Sequence, residues 1–321
     1  MDKVRIGVMG CANVAWKAML PALLECHEAR LVAVASRSGD KARRFAERFG
    51  CNAVAGYASL LERDDIDVIY MPLPTGLHDE WVRKALDAGK HLLVEKSFTS
   101  DLESAEALAA LAAERGLLVM ENFLFPLHSQ HQWVSDRVSR GDLGDLWLFR
   151  STFAFPPLPD DNFRYDPALG GGALLDAGGY PVKAAQLFLG DDLALTGAVL
   201  EYDSARGVDL AGHAQFVNGR GQVAQVSFGF NSFYQCRYEL LGTKARLVVE
   251  RAFTPPPGFR PQVRLEAQDH TQTFTLAADD HYLNMWRHFA ATVRSGEGFD
   301  DHRRAVVRQA ALLHAIRQES A

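Results

Sequence analysis

What this 321-residue chain has little of narrows its class. Cysteine occurs four times, as Cys11, Cys26, Cys51 and Cys236. The spacing fits neither a zinc site nor a disulfide framework, so reduced thiols and a cytoplasmic protein are expected. No apolar run reaches the eighteen or so residues of a membrane span. The apolar stretch up to Met9 is too short for a signal peptide and leads straight into a glycine turn. Positive charge is not in excess: the formal net charge is −6, with both signs spread along the chain. That excludes the basic face of a dedicated nucleic-acid binder and leaves room for a local patch on a phosphorylated ligand. Internal repeats and low-complexity tracts are missing. The proline cluster Thr254-Pro255-Pro256-Pro257-Gly258 is a loop, because three prolines cannot sit in a central strand. The length that remains is enough for two domains with their own cores.

The N-terminal half alternates. Lys3 to Met9 reads as a strand, Gly10-Cys11-Ala12-Asn13-Val14-Ala15 as a turn, Trp16 to Cys26 as a helix and Leu31 to Ala35 as a second strand. This order is that of a dinucleotide-binding βαβ unit, with the turn in the form G-x-A-x-x-A. Gly10 allows the tight turn, Ala12 lets a pyrophosphate approach the backbone, and Ala15 lets the helix pack close to the sheet. Asn13 and Val14 lie at the helix N-terminus, where unpaired N–H groups face phosphate. Further strands at Val68–Met71, His91–Val94 and Leu117–Met120 alternate with helices, which implies a parallel sheet covered on both faces. The second strand ends in Ser36-Arg37-Ser38. The acid that binds the ribose hydroxyls of NAD is absent there, and a guanidinium with two hydroxyls suits a 2′-phosphate, so NADP is the expected cofactor.

Beyond Asn122-Phe123-Leu124-Phe125 the rhythm changes. After a helix over Ser129–Ser139 come eight runs of period-two patterning between Leu146 and Leu276, then helices over His281–Arg294 and His302–Gln318. Strands in succession imply an antiparallel sheet, open on one face or used for assembly. The expected fold is therefore α/β: an N-terminal Rossmann domain over residues 1–123, and a C-terminal α+β domain over 124–321 with a large, mostly antiparallel open sheet. A homodimer or homotetramer through the sheet faces is expected.

Four segments carry a family resemblance: Ile6-Gly7-Val8-Met9-Gly10-Cys11-Ala12, Pro72-Leu73-Pro74 with His78, Glu95-Lys96, and Gly170-Gly171-Gly172-Ala173-Leu174-Leu175-Asp176-Ala177-Gly178-Gly179-Tyr180. With them the whole chain resembles the glucose–fructose oxidoreductase/inositol dehydrogenase/MocA group of nicotinamide-dependent oxidoreductases. A second set is similar to the sugar-nucleotide 3-ketoreductases of deoxysugar pathways, as in antibiotic biosynthesis. It comprises Met120 to Phe125, His128-Ser129-Gln130-His131, Phe155 to Pro159, Phe163-Arg164-Tyr165 and Arg251 to Pro257. Two positions depart from the commonest family pattern. Ser97 stands where Glu-Lys is usually followed by proline, and Tyr180 stands where many relatives have histidine; tyrosine is typical of the ketoreductase branch.

The resemblance implies hydride transfer from NADPH to a keto group, at C3, of a nucleotide-linked keto-deoxyhexose. Tyr180 is the expected proton donor, since a phenol with a pKa of about 10 is an acid toward a forming alkoxide. Lys96 would stabilise the developing charge and orient the ketone or the nicotinamide ribose. Asp176, one helical turn before Tyr180, would bind a substrate hydroxyl or hold Lys96. Asn122 would contact the nicotinamide carboxamide or the substrate, and Arg164 the diphosphate of the substrate or a phosphate of the cofactor. Leu73, Pro74, His78 and Glu95 complete the expected cofactor groove. No metal is expected: His128 and His131 are three residues apart but lack a carboxylate partner pattern. Three other readings share these features: a dehydrogenase of a free sugar, cyclitol or dihydrodiol, a non-catalytic nicotinamide-binding regulator, and a glycosidase using bound NAD for transient oxidation.

Overall fold

A computed structural model describes residues 3–320. The chain divides into two compact units. The first comprises the residues up to Asn122 together with Tyr282–Ala310; the second comprises Phe123–His281 and the chain from Ala311 onward. The first unit's main segment ends at Asn122, beside the boundary at 123 expected from sequence. The assignment of everything beyond 123 to the second domain does not hold, because Tyr282–Ala310 packs with the first unit.

The first unit is built on a six-stranded parallel sheet of β1 (Val4–Met9), β2 (Ala29–Ser36), β3 (Asn52–Ala55), β4 (Val68–Met71), β5 (His91–Val94) and β6 (Val119–Glu121), in the order β3-β2-β1-β4-β5-β6. This is the doubly wound arrangement whose order reverses between β1 and β4. The strands read as continuous apolar runs because both faces are covered; all four residues of β4 are buried. The connections are α1 (Leu20–Glu25), α2 (Gly39–Phe49), α3 (Ala58–Leu61), α4 (His78–Asp87) and α5 (Leu102–Glu114). In α2 the buried positions Ala42, Phe45, Ala46 and Phe49 recur at helical spacing, Ser38 caps its N-terminus, and Gly50 ends it at φ +67°. The strand β3 has no buried residue, so no apolar pattern marks it in the sequence. Trp286, in the helix over His281–Ser295, is tied to this unit by its indole N–H, which donates to the Met19 carbonyl at 2.8 Å.

The second unit holds α6 (Ser129–Ser139), α7 (Gly179–Leu189) and an eight-stranded sheet. Its strands are β7 (Leu146–Ala154), β8 (Ala194–Asp203), β9 (Val208–Val217), β10 (Val223–Gly229), β11 (Gln235–Gly242), β12 (Ala245–Glu250), β13 (Gln262–Ala267) and β14 (Thr271–Thr275), in the order β14-β13-β12-β11-β7-β10-β9-β8. Every pair is antiparallel except β7 with β10. One face is the core: Phe149, Phe153, Phe216, Phe228, Tyr238, Leu240 and Val249 pack with Val182, Ala185 and Leu189 of α7. The opposite face carries a hydrogen-bonded row across the strands. Gln225 donates to Gln215, Arg150 to Gln225 and Glu239, and Arg246 to Glu239 and Glu266. The chain closes with α8 (His281–Ser295) and α9 (Phe299–Glu319). Val306 of α9 joins the first core and Leu312, Leu313 and Ile316 the second.

Candidate active site

The first unit supplies a cradle at the carboxyl ends of β1, β2, β4, β5 and β6. Gly10 ends β1 at φ +121°, a conformation that side chains rarely adopt. A Cβ on Gly10 would stand 2.8 Å from Leu73 Cδ2 and 3.2 Å from the Pro72 carbonyl oxygen. The bare backbone there is what the tight turn against the Pro72–Leu73 segment requires. The helix that follows begins as a π-helical turn, Ala15–Met19, and continues as α1, where the sequence predicts a plain α-helix from Trp16. Val14 is its N-cap and Ala15 is fully buried, which accounts for the small residue of the fingerprint.

At the end of β2, Ser36 is buried and Arg37 and Ser38 are exposed. The Ser36 hydroxyl accepts from the Ser38 amide at 3.1 Å, and the Ser38 hydroxyl caps α2. Burial pushes the Tyr57 phenol up, and Arg37 beside its hydroxyl acts in the other direction. Tyr57 in turn packs edge-on against Trp81 at 5.1 Å. Arg37 is thus rooted in a hydrogen-bonded turn and exposed to solvent.

The segment after β5 holds Glu95 and Lys96, and the Lys96–Ser97 peptide is cis. The Glu95 carboxylate accepts from the Tyr70 hydroxyl and from Asn122 Nδ2, both at 2.7 Å. Burial pushes the Glu95 carboxyl up; the two hydrogen bonds and Lys96 oppose it. Asn122 is 2 % exposed, and its Oδ1 has no hydrogen-bond partner among the described residues. A buried acceptor without a donor fits a ligand that brings one.

His78 takes a different part from the one its sequence position suggests. Its ring is fully enclosed. Nδ1 lies 3.0 Å from the Ser97 carbonyl oxygen and 3.1 Å from that of Phe98, and Nε2 lies 2.9 Å from that of Leu73. The ring pegs the Leu73 loop to the loop after Lys96 and is not a wall of the groove. Burial lowers its pKa.

The second unit supplies the glycine-rich segment. Gly172 has φ +112°, and a Cβ there would meet Asp209 Oδ1 at 2.4 Å. A Cβ on Gly171 would meet the Arg164 and Asp166 carbonyl oxygens at 2.6 and 2.8 Å, and one on Gly178 would lie 3.0 Å from the Phe228 ring. The glycines are therefore contact surfaces. Asp209 Oδ2 accepts from the Leu174 amide at 2.5 Å, and burial raises its carboxyl. It anchors the start of a second π-helical turn, Leu174–Gly178, which runs into α7. Asp209 is a residue that the sequence reading missed; no motif surrounds it, and its partner lies 35 positions away.

Tyr180 sits in the first turn of α7, among Phe123, Phe153 and Phe253 at ring distances of 5.4, 4.8 and 5.6 Å. Phe123 and Phe153 meet the phenol edge-on and Phe253 lies tilted against it. Asp176 accepts from Arg164 Nε at 2.6 Å. The pairing joins two residues that were expected to meet ligands separately. The side chains are 30 % and 17 % exposed, so the pair presents a guanidinium whose position is fixed by a carboxylate. His131 has a structural place: Nε2–H donates to the Ala252 carbonyl at 2.9 Å, and Nδ1 accepts from the Tyr238 hydroxyl at 2.8 Å.

A family model described as an oxidoreductase family with an NAD-binding Rossmann fold matches residues 4–123, and the GFO/IDH/MocA C-terminal domain matches residues 131–248. The chain belongs to the GFO/IDH/MocA oxidoreductase family. It is 47 % identical over 316 residues to a dTDP-3,4-didehydro-2,6-dideoxy-alpha-D-glucose 3-reductase of Actinomadura kijaniata, covering 98 % of this chain and 95 % of that protein. It is 32 % identical to a D-xylose 1-dehydrogenase (NADP(+)) of Haloferax volcanii, covering 91 % of this chain and 89 % of that one. Among solved structures, it superposes with a TM-score of 0.97 and 46 % identity on a 3-ketoreductase from Actinomadura kijaniata in complex with NADP and TDP-benzene, covering 99 % of this chain and 98 % of that one.

Proposed function

We propose that this chain is an NADP-dependent reductase of the C3 keto group of a nucleotide-linked keto-deoxyhexose, with TDP as the nucleotide. The similarity that carries the reading extends over nearly the full length of the dTDP-keto-sugar 3-reductases. It is supported by the residues at the end of β2, which suit a 2′-phosphate and not a ribose diol. The chemistry that bound NADPH supplies is hydride donation to a carbonyl carbon.

Gly10, Ala12, Asn13 and Val14 hold the pyrophosphate, and Ser36 and Arg37 the 2′-phosphate. Leu73 and Pro74 wall the groove, and Asn122 accepts from the carboxamide. Tyr180 gives its phenolic proton to the carbonyl oxygen as that oxygen gains charge. Lys96 stabilises the alkoxide and eases loss of the phenolic proton. Arg164, fixed by Asp176, binds the diphosphate of the substrate; Asp176 therefore acts through Arg164. The choice of Lys96 and Tyr180 is consistent with solved variants of the Actinomadura kijaniata ketoreductase. Those variants replace a lysine and a tyrosine standing the same number of residues apart as Lys96 and Tyr180. Replacing Tyr180 by Phe should lower kcat by about 10² or more with little change in KM, whereas full activity in that variant removes the assigned proton donor.

One observation favours a second reading. Similarity to an NADP-dependent D-xylose dehydrogenase admits a free sugar as substrate. Turnover of D-xylose with NADP, and none of TDP-linked keto-sugars, would establish it. The proposal also includes a cytoplasmic enzyme of antibiotic-type deoxysugar biosynthesis that assembles as a homodimer or homotetramer through the open sheet face. A monomeric mass by light scattering removes the assembly claim.

A further inference from the structure

Asn122 lies immediately beyond β6, at the carboxyl edge of the parallel sheet, where sheets of this kind bind their ligands. Its side-chain amide has two unlike ends. Nδ2 donates to Glu95 Oε1 at 2.7 Å and lies 3.8 Å from Met19 Sδ. Oδ1 is buried and without a partner among the described residues. The orientation is chemically determined. A carboxylate only accepts hydrogen bonds, so turning the amide over would set Oδ1 against a carboxylate oxygen, two acceptors face to face, and lose the bond between them. Glu95 is itself fixed by the Tyr70 hydroxyl on the same oxygen, at 2.7 Å. Tyr70 is fully buried and packs edge-on against Trp286 at 5.5 Å.

We propose that Glu95 is a positioning residue: it locks the Asn122 amide so that an acceptor, never a donor, meets the nicotinamide carboxamide, and thereby selects one of the two rotamers of that carboxamide. The proposal rests on the reading that a nicotinamide cofactor binds the first unit. It gives the Glu-Lys pair two separate duties, with Lys96 serving the reacting oxygen and Glu95 serving the cofactor. A carboxamide has a C=O end and an NH₂ end; against an obligate acceptor only the NH₂ end pairs. In Glu95→Gln the constraint is gone. The new amide offers either end, the Asn122 amide turns over, and its Nδ2 then pairs equally well with a carbonyl.

The experiment is calorimetric titration of the purified full chain with NADP and with its 3-acetylpyridine analogue, in which a methyl ketone replaces the carboxamide and the NH₂ donor is lost. The wild type should bind NADP about tenfold or more tightly than the analogue, the cost of leaving a buried acceptor unpaired. In Glu95→Gln the ratio should fall to about one, with NADP still bound. Tyr70→Phe removes the other hydrogen bond on the same carboxylate but leaves the Glu95–Asn122 bond, so it should keep the wild-type ratio even if its melting temperature drops. A ratio unchanged in Glu95→Gln, or lost equally in Tyr70→Phe, overturns the proposal and leaves Glu95 a structural residue. Failure of the wild type to bind either compound overturns the cofactor reading itself, an outcome distinct from binding both without discrimination, which overturns only the positioning role.

Discussion

At the residue scale, the account turns on groups whose surroundings fix what they can do. Arg37 is rooted in a hydrogen-bonded turn and exposed to solvent. Replacing Arg37 by Ala should weaken NADPH binding by about 10- to 100-fold, the worth of charge-assisted phosphate contacts, and leave NADH binding almost unchanged. Fluorescence titration with both cofactors measures this; equal losses for the two would remove the 2′-phosphate assignment. Arg37, Lys96 and Tyr180 could be proposed from the sequence because each lies in a contiguous motif whose chemistry is local. Asp209 and the bond between Glu95 and Asn122 were not, because their partners come together only through the sheets. His78 shows the opposite failure. It was placed by its neighbourhood in the chain, yet its ring is consumed by three backbone carbonyls.

At the element scale, a π-helical turn follows each glycine-containing candidate segment: Ala15–Met19 before α1 and Leu174–Gly178 before α7. Such turns are rare and recur at functional sites. Their composition is that of ordinary helix, so sequence periodicity does not reveal them. The second depends on Gly172, whose backbone conformation and lack of Cβ admit Asp209. Gly172→Ala should cost about 2 kcal/mol or more in stability, from an unfavourable φ and a clash with the carboxylate. Gly50→Ala, where a Cβ meets nothing within 4 Å but φ is +67°, should cost only about 1 kcal/mol. Urea denaturation of both variants tests the order; equal costs would show that the close approach of Asp209 matters little. Most regular strands and helices were legible from their apolar period, although β9, read from His213, begins at Val208, and β11, read from Tyr238, begins at Gln235. The strand β3 was not, because all its residues keep some exposure.

At the scale of the whole molecule, the return of Tyr282–Ala310 to the first unit was hidden. Its anchors, such as Trp286 on the Met19 carbonyl and Arg303 on the Leu117 carbonyl, span 267 and 186 positions, beyond any local pattern. Global stability should also respond to acid. Burial lowers the pKa of His131 and His281 to about 3, against about 6.5 in the unfolded chain. Both rings are neutral in the fold and take up protons on unfolding. The stability they contribute is therefore complete above about pH 6.5 and is lost as pH falls toward 3. The urea midpoint should fall steadily from pH 7 to 4.5, with a shallower slope in His281→Gln; a flat profile across that window contradicts the burial argument.

The central claim concerns where a hydride goes. The most direct test supplies the protein with NADPH deuterated at the transferring position of C4 and a TDP-linked 3-keto-2,6-dideoxyhexose, and reads the product by NMR. The account predicts stoichiometric consumption of the cofactor and deuterium at C3 of the sugar, with no turnover in Tyr180→Phe on the same timescale. Intact keto-sugar, or deuterium at another carbon, would contradict it.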